Sequence, residues 1–240
     1  MKSNTHQLFT PAFQQKLFNS FADKYNTLVN KFSFGISNKI RKELIATIPI
    51  NTSKISILDL MCGGGENWGF ITHQFPNATI HAVDFSEKMI AVANQKNLKH
   101  YNSTIKIQCD NIFEIHFENE KFDLVVCSFG IKCMDENKYA EFAKQLKNIL
   151  LPNGIFAYTE IKLPNNFILK QILLFYFRLI IPYVSLSFLN KQSGINYLHT
   201  YLQKFDGGTK LNTALLNEKM TLQQATSFWQ IATIVIAKNK

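Results

Sequence analysis

The chain has 240 residues, with 26 Lys and Arg against 17 Asp and Glu and a net charge of +9. The length suits one α/β domain with a short accessory region, and a hydrophobic content of 46% excludes a disordered tail. Only 18% of residues are charged and no block of like charges occurs, so the excess reflects scarce acids rather than basic runs.

Residues 1–50 carry +5 and are expected to form an N-terminal helical cap. Met1 to Thr10 is polar and lacks the apolar stretch of a secretory signal, so a reducing cytoplasm is the expected compartment. Residues 51–161 read as the core. Ile55–Leu60 is a short apolar strand that ends before a glycine cluster, and Glu66–Phe75 is helical in pattern. Ala78–Phe85 is a second strand, after which Ser86 caps a helix running to about Asn97. Thr104–Cys109 and Phe122–Ser128 are the third and fourth strands. Tyr139, Phe142, Ala143, Leu146 and Leu150 share one face of a helix over Glu136–Leu151. Pro152-Asn153-Gly154 stops that helix before a fifth strand at Ile155–Ile161. Strands alternating with helices predict a Rossmann-like α/β fold, a mostly parallel sheet with helices on both faces.

Residues 162–205 break the pattern and are expected to form a helical lid. Ile172 to Phe188 is almost continuously apolar, but it is short for a membrane span and has Arg178 near its centre. It is expected to be a helix pair, buried or lying at an interface, with Pro182 as the break. Residues 206–240 supply a helix at Leu211–Glu218 and two strands, Thr221–Phe228 and Ile231–Ala237. These two should pair antiparallel about a turn near Trp229-Gln230, which brings the sheet to seven strands in a single domain.

Charge and aromatic content follow the same partition. Residues 51–150 carry −2 and residues 151–240 carry +6, and 16 of the 31 aromatic rings fall in residues 1–34 and 163–205, among them Phe21 and Phe188. Helices without a sheet need bulky side chains to pack, and such a cap can also enclose a flat apolar ligand. Cys62, Cys109, Cys127 and Cys133 show no CxxC spacing and no clustering with His, so neither a zinc site nor a disulfide framework is expected.

The informative segment is Asp59-Leu60-Met61-Cys62-Gly63-Gly64-Gly65-Glu66. A strand ends, glycines follow and a helix begins. Glycine lets the backbone turn with positive φ and approach a ligand closely, and the helix start offers N–H groups to an anion such as a carboxylate. A dinucleotide-binding pattern from Gly63-x-Gly65 would need glycine at position 68, which is Trp68. A carboxylate at Asp59 also suits an ammonium-bearing ligand better than a pyrophosphate, which it would repel. Asp84 closes the second strand, where it can accept both hydroxyls of a ribose or cap the next helix. Asp110-Asn111 follows the third strand and can meet an adenine amino group. Three polar residues at successive strand ends reinforce one another, because open α/β sheets bind ligands there.

The order ILDLMCGGGE, HAVDFSEKMI, IQCDNIF, FDLVVCSFGIKCM and LKNILLPNGIFAYTEI resembles the class I S-adenosylmethionine-dependent methyltransferases. With FADKYNTLVNKFSFG and Tyr197-Leu198 in the lid, the chain more narrowly resembles the ubiquinone/menaquinone biosynthesis C-methyltransferases. The resemblance implies that Asp59, Gly63 and Gly65 hold the methionine part of S-adenosylmethionine. It implies that Asp84 takes the ribose, Met89 packs on adenine, Asp110 and Asn111 address the adenine edge, and Ser128 lies near the methionine moiety. Tyr25, Phe129 and Tyr197 would face the acceptor. Departures fall on the acceptor side: Lys132-Cys133, Tyr25-Asn26, Ile195 and Trp229-Gln230-Ile231 stand where the family has other residues.

Transfer from a sulfonium needs in-line alignment and exclusion of water, which in favourable cases lowers the barrier by about 7–11 kcal/mol. A phenolic carbon or oxygen also needs a proton removed, and His199, Tyr197 and Lys132 are the candidate bases; Lys132 could instead hold an anionic acceptor oxygen. The expected acceptor is a small aromatic or quinone-like molecule, methylated on carbon or oxygen. The alternatives are another small metabolite methylated on nitrogen or oxygen, or a donor-binding relative without turnover. Nucleic acid is not expected, because Cys127-Ser128-Phe129-Gly130 lacks the Pro-Pro run of enzymes that methylate nucleic-acid amino groups. Peripheral contact with a membrane and a homodimer both stay open.

Overall fold

A computed structural model describes residues 5–20, 22–49, 54–115, 117, 121–186 and 197–240; Phe21, Phe188 and Ile195 lie outside them. The core strands are β1 (Ser56–Leu60), β2 (Thr79–Asp84), β3 (Lys106–Cys109), β4 (Phe122–Ser128) and β5 (Leu150–Ile161). They are joined by β6 (Thr221–Ser227) and β7 (Ala232–Lys238) in one sheet of order β3-β2-β1-β4-β5-β7-β6. The first five strands pair parallel, and β7 runs antiparallel between β5 and β6. This is the predicted Rossmann-like sheet with its antiparallel C-terminal pair.

The central strands β1, β4, β5 and β7 are largely apolar runs because both faces are covered, whereas the edge strands β3 and β6 are mostly exposed. On one face Phe122, Phe142, Phe156 and Tyr158 pack with Leu211 and Leu215. These come from the sheet, from α6 (Tyr139–Ile149) and from α10 (Thr209–Asn217). On the other face Leu44, Trp68, Ile71 and Ile90 cover Leu124, Ala157 and Ile234. The covering residues lie on α3 (Ile36–Ala46), α4 (Trp68–Gln74) and α5 (Glu87–His100). Strand order reverses between β1 and β4, and the carboxyl ends of β1, β2 and β4 open there onto one crevice.

The cap over those ends combines the N-terminal helices with a helix that follows β5. It contains α1 (Pro11–Asn19), α2 (Tyr25–Phe32) and α9 (Leu198–Lys204). Leu8, Leu17 and Met89 pack with Tyr201, whose hydroxyl donates to the Leu8 carbonyl at 2.7 Å.

Three local expectations are corrected. Helix α4 begins at Trp68, two residues after Glu66, because the Glu66 carboxylate accepts the Gly64 N–H at 3.1 Å and prolongs the turn. Strand β5 begins at Leu150 rather than Ile155. Pro152-Asn153-Gly154 forms a bulge in it, with Asn153 at φ 66° and the register jumping from Phe122–Leu150 to Leu124–Ile155. Pro182 does not break the lid. It lies within a run that continues from the preceding turn into α8 (Ile181–Leu186) without interruption. The irregularity is a π turn, Tyr176–Ile180, joining α8 to α7 (Phe167–Phe175). Among the described residues no helix is long and apolar enough to cross a membrane.

Candidate active site

A cavity of about 560 Å³ lies at the carboxyl ends of the strands, beneath the cap. Gly63, Asp84, Met89, Asp110, Asn111 and Ser128 line it, as do Tyr25 and Phe129. The loop after β1 is shaped for close approach. Gly63 and Gly65 have φ of 55° and 79°, but only Gly63 lines the cavity; a Cβ on Gly65 would lie 2.6 Å from the Trp68 ring, so that glycine serves packing. Neighbouring Met61 and Phe129 also adopt positive φ, 55° and 64°, at the ends of β1 and β4.

Asp59 lies behind the wall rather than on it. It is fully buried, and Asn67, which does line the cavity, donates to its Oδ1 at 2.7 Å. Burial pushes the Asp59 carboxyl up to about 7, with the Asn67 hydrogen bond opposing. Asp84 accepts the Gly63 N–H and the Ser86 N–H, each at 2.9 Å. Burial still raises it to about 6. Glu66 folds back across the glycines, and burial raises its carboxyl too. Asp110 accepts the Asn111 N–H at 2.8 Å, and Asn111 donates to Glu114 at 3.0 Å, leaving both at the cavity rim.

The sequence reading did not single out Arg41. It is 2% exposed on α3 and lines the cavity, with its guanidinium 4.9 Å above the Phe129 ring. Among the described residues seven buried side-chain polar atoms lack a partner. Five cluster here: Arg41 Nε, Asp59 Oδ2, Glu66 Oε1, Asn67 Oδ1 and Ser128 Oγ. Buried polar atoms are rarely left unpaired, so this cluster marks where a polar ligand completes the protein. A carboxylate and an amide oxygen beside a guanidinium complement an α-amino acid: Glu66 and Asn67 would hold its ammonium, with Asp59 fixing Asn67 from behind, and Arg41 its carboxylate. With Asp84 placed for a diol and Met89 for a flat ring, the residues fit S-adenosylmethionine.

The raised carboxyls have a measurable consequence. Folded Asp59 and Asp84 hold protons that the unfolded chain loses above about pH 4, so each contributes stability that is lost as pH rises toward about 7 and about 6. Asp59→Asn keeps the Asn67 contact without the titration. In thermal melts of donor-free protein it should gain on the wild type as pH rises from about 5 to about 7.5, by on the order of 2–4 kcal/mol. A margin that stays constant with pH would remove Asp59 as the cause.

A second cavity of about 150 Å³ is almost wholly apolar and meets the first at Phe18, Tyr25, Phe129 and Cys133. Burial pushes the Tyr25 phenol up to about 12, although the Arg41 guanidinium opposes the shift. Lys132 reaches the apolar cavity, but its ammonium is engaged: Nζ donates to Glu160 at 2.9 Å and to the Phe129 carbonyl. Tyr197 packs edge-on against Phe13, 5.2 Å between ring centroids, and lies on neither cavity wall. His199 is half-buried outside both cavities, where burial and Arg178 hold its imidazole below the usual histidine range. The structure therefore brings Tyr25, Phe129 and Lys132 together and leaves Tyr197 and His199 apart.

A family model described as the ubiE/COQ5 methyltransferase family matches residues 6–235. The demethylmenaquinone methyltransferase of Listeria welshimeri is 25% identical over 198 residues, covering 82% of this chain and 82% of the relative. That of Bacillus cytotoxicus is 25% identical over 197 residues, covering 81% of each. Among solved structures, the plantazolicin methyltransferase BpumL in complex with SAH superposes with a TM-score of 0.59 at 16% identity, over 98% of this chain and 93% of that one. An O-methyltransferase family protein from Burkholderia thailandensis gives 0.67 at 14% identity, over 97% of this chain and 63% of that longer one. At such identities the solved structures speak to the fold.

Proposed function

The chain belongs to the ubiE/COQ5 methyltransferase family and is an S-adenosylmethionine-dependent methyltransferase; from that premise we propose that its acceptor is a quinone-like aromatic ring, methylated on carbon. The observation that carries this reading is the junction of the polar cavity with the apolar one at Tyr25 and Phe129. The names of the demethylmenaquinone methyltransferases at 25% identity favour the same acceptor class.

When bound, S-adenosylmethionine supplies an electrophilic methyl on a sulfonium. The protein's part is alignment, exclusion of water and care of charge. Phe129 lines both cavities and sets its ring at their junction, where its edge can meet a flat ring. The Tyr25 phenol is protonated at neutral pH, so it serves as donor to a ring oxygen rather than as base. Lys132 adds positive charge 5.7 Å from the Phe129 ring, partly neutralised by Glu160. As the ring carbon gains methyl it loses a proton, which passes to solvent; neither His199 nor Tyr197 lines the junction to take it.

The test is the position of a labelled methyl. With isotopically labelled S-adenosylmethionine and a demethylated naphthoquinol, the label is expected on a ring carbon by NMR and mass spectrometry of the product. Label on oxygen, or turnover only with unrelated small amines, would overturn the acceptor proposal and leave donor use intact.

A further inference from the structure

The outer face of the lid carries a stripe that the methyl-transfer site does not use. Ile168, Ile172, Phe175, Leu179 and Tyr183 recur at helical spacing along α7, the π turn and α8, and all are exposed. Phe167 and Ile180 widen the stripe, with Phe167 72% and Tyr183 76% exposed. The inner face is pinned. Phe177 and Ile181 are buried against Leu202, Leu198 and Phe32, and the Tyr176 hydroxyl donates to the Phe32 carbonyl. The stripe therefore cannot turn inward, and contiguous exposed apolar surface of this kind marks an interaction site.

Charge selects the partner. Residues 161–205 contain no Asp or Glu, and Lys170 and Arg178 lie on the helical run that carries the stripe. Arg178 is exposed beside Leu179, where a long cationic side chain can reach headgroups while its stem stays with the apolar face. Directly beneath, Phe177, Ile181 and Leu198 form a wall of the apolar cavity. We propose that this face docks in the plane of an anionic lipid surface, its apolar stripe in the acyl boundary and its cations among the headgroups. The inference deepens the acceptor reading above, since a lipophilic acceptor would then pass from the bilayer into the apolar cavity without crossing water.

The test uses the full chain and vesicles that contain no acceptor, so that its failure is separate from failure of the acceptor reading. The protein should co-sediment with vesicles of equimolar phosphatidylcholine and phosphatidylglycerol at low salt, and far less with phosphatidylcholine alone. Phe167→Ser and Phe175→Ser should each weaken partition about tenfold, and Arg178→Glu should abolish the preference for anionic lipid. Retained donor binding in these variants shows that they fold. A wild-type chain that stays in the supernatant overturns the proposal. So does a dimer, seen by sedimentation equilibrium, that the same substitutions dissociate, because the face would then belong to a second copy.

Discussion

Replacing Arg41 with methionine is expected to weaken binding of S-adenosylmethionine about a hundredfold, roughly 2.7 kcal/mol by calorimetry. The substitution keeps the unbranched apolar stem as far as the position of Nε but removes the buried guanidinium that lies over Phe129. Truncating one partner of a desolvated charge pair typically costs about 2–5 kcal/mol, since the other charge is left without a counterpart. Here that counterpart would be the donor's carboxylate. Arg41→Lys should recover part of the loss, because an ammonium restores charge but not the two-pronged fit. The same guanidinium lowers the Asp59 and Glu66 carboxyls, so without it both should hold their protons to higher pH. An Arg41→Met protein with unchanged affinity would remove the assignment.

Lys132→Met should lower the melting temperature by about 10 °C. Lys132 and Glu160 form an ion pair at 2.9 Å with side chains 7% and 0% exposed. Removing one member of such a pair costs about 3–5 kcal/mol, and in a chain of this size each kcal/mol corresponds to about 2–4 °C. Glu160 would keep the Lys132 and Ile161 N–H groups, at 2.9 and 3.2 Å, but not its cation. The double variant Lys132→Met, Glu160→Gln should regain more than half of the loss, because no charge remains to be neutralised. A double variant as unstable as the single one would mean that packing dominates. Either way the cycle separates the structural role of Lys132 from its place at the acceptor junction.

The sheet was legible because its physics is local. Ile57, Leu58 and Leu60, and likewise Leu124 to Cys127, are buried on both faces, and such strands appear as continuous apolar runs. Polar residues that close those runs fall at strand ends by construction, which is why Asp84 and Asp110 could be placed on the crevice. Arg41 had a signal that went unread. It shares the buried face of α3 with Ser37, Ile40, Leu44 and Ile45, and a cation within an apolar stripe demands a partner. The Lys132–Glu160 pair had none, for its members are 28 positions apart and meet only when β4 and β5 align. The inward turn of Glu66 and the π turn of the lid depend on backbone geometry that periodicity does not encode.

Strand order has a consequence for how the chain is made. β5 is paired on one side with β4, but its other side waits for β7, where Ile161 meets Ala232 about 70 residues later. At about 5–20 residues per second, a nascent chain holds an open edge of apolar strand for roughly 4–14 s. During that interval it is a template for pairing with a neighbour on the same message, and the emerging tail closes the sheet by occupying that edge first.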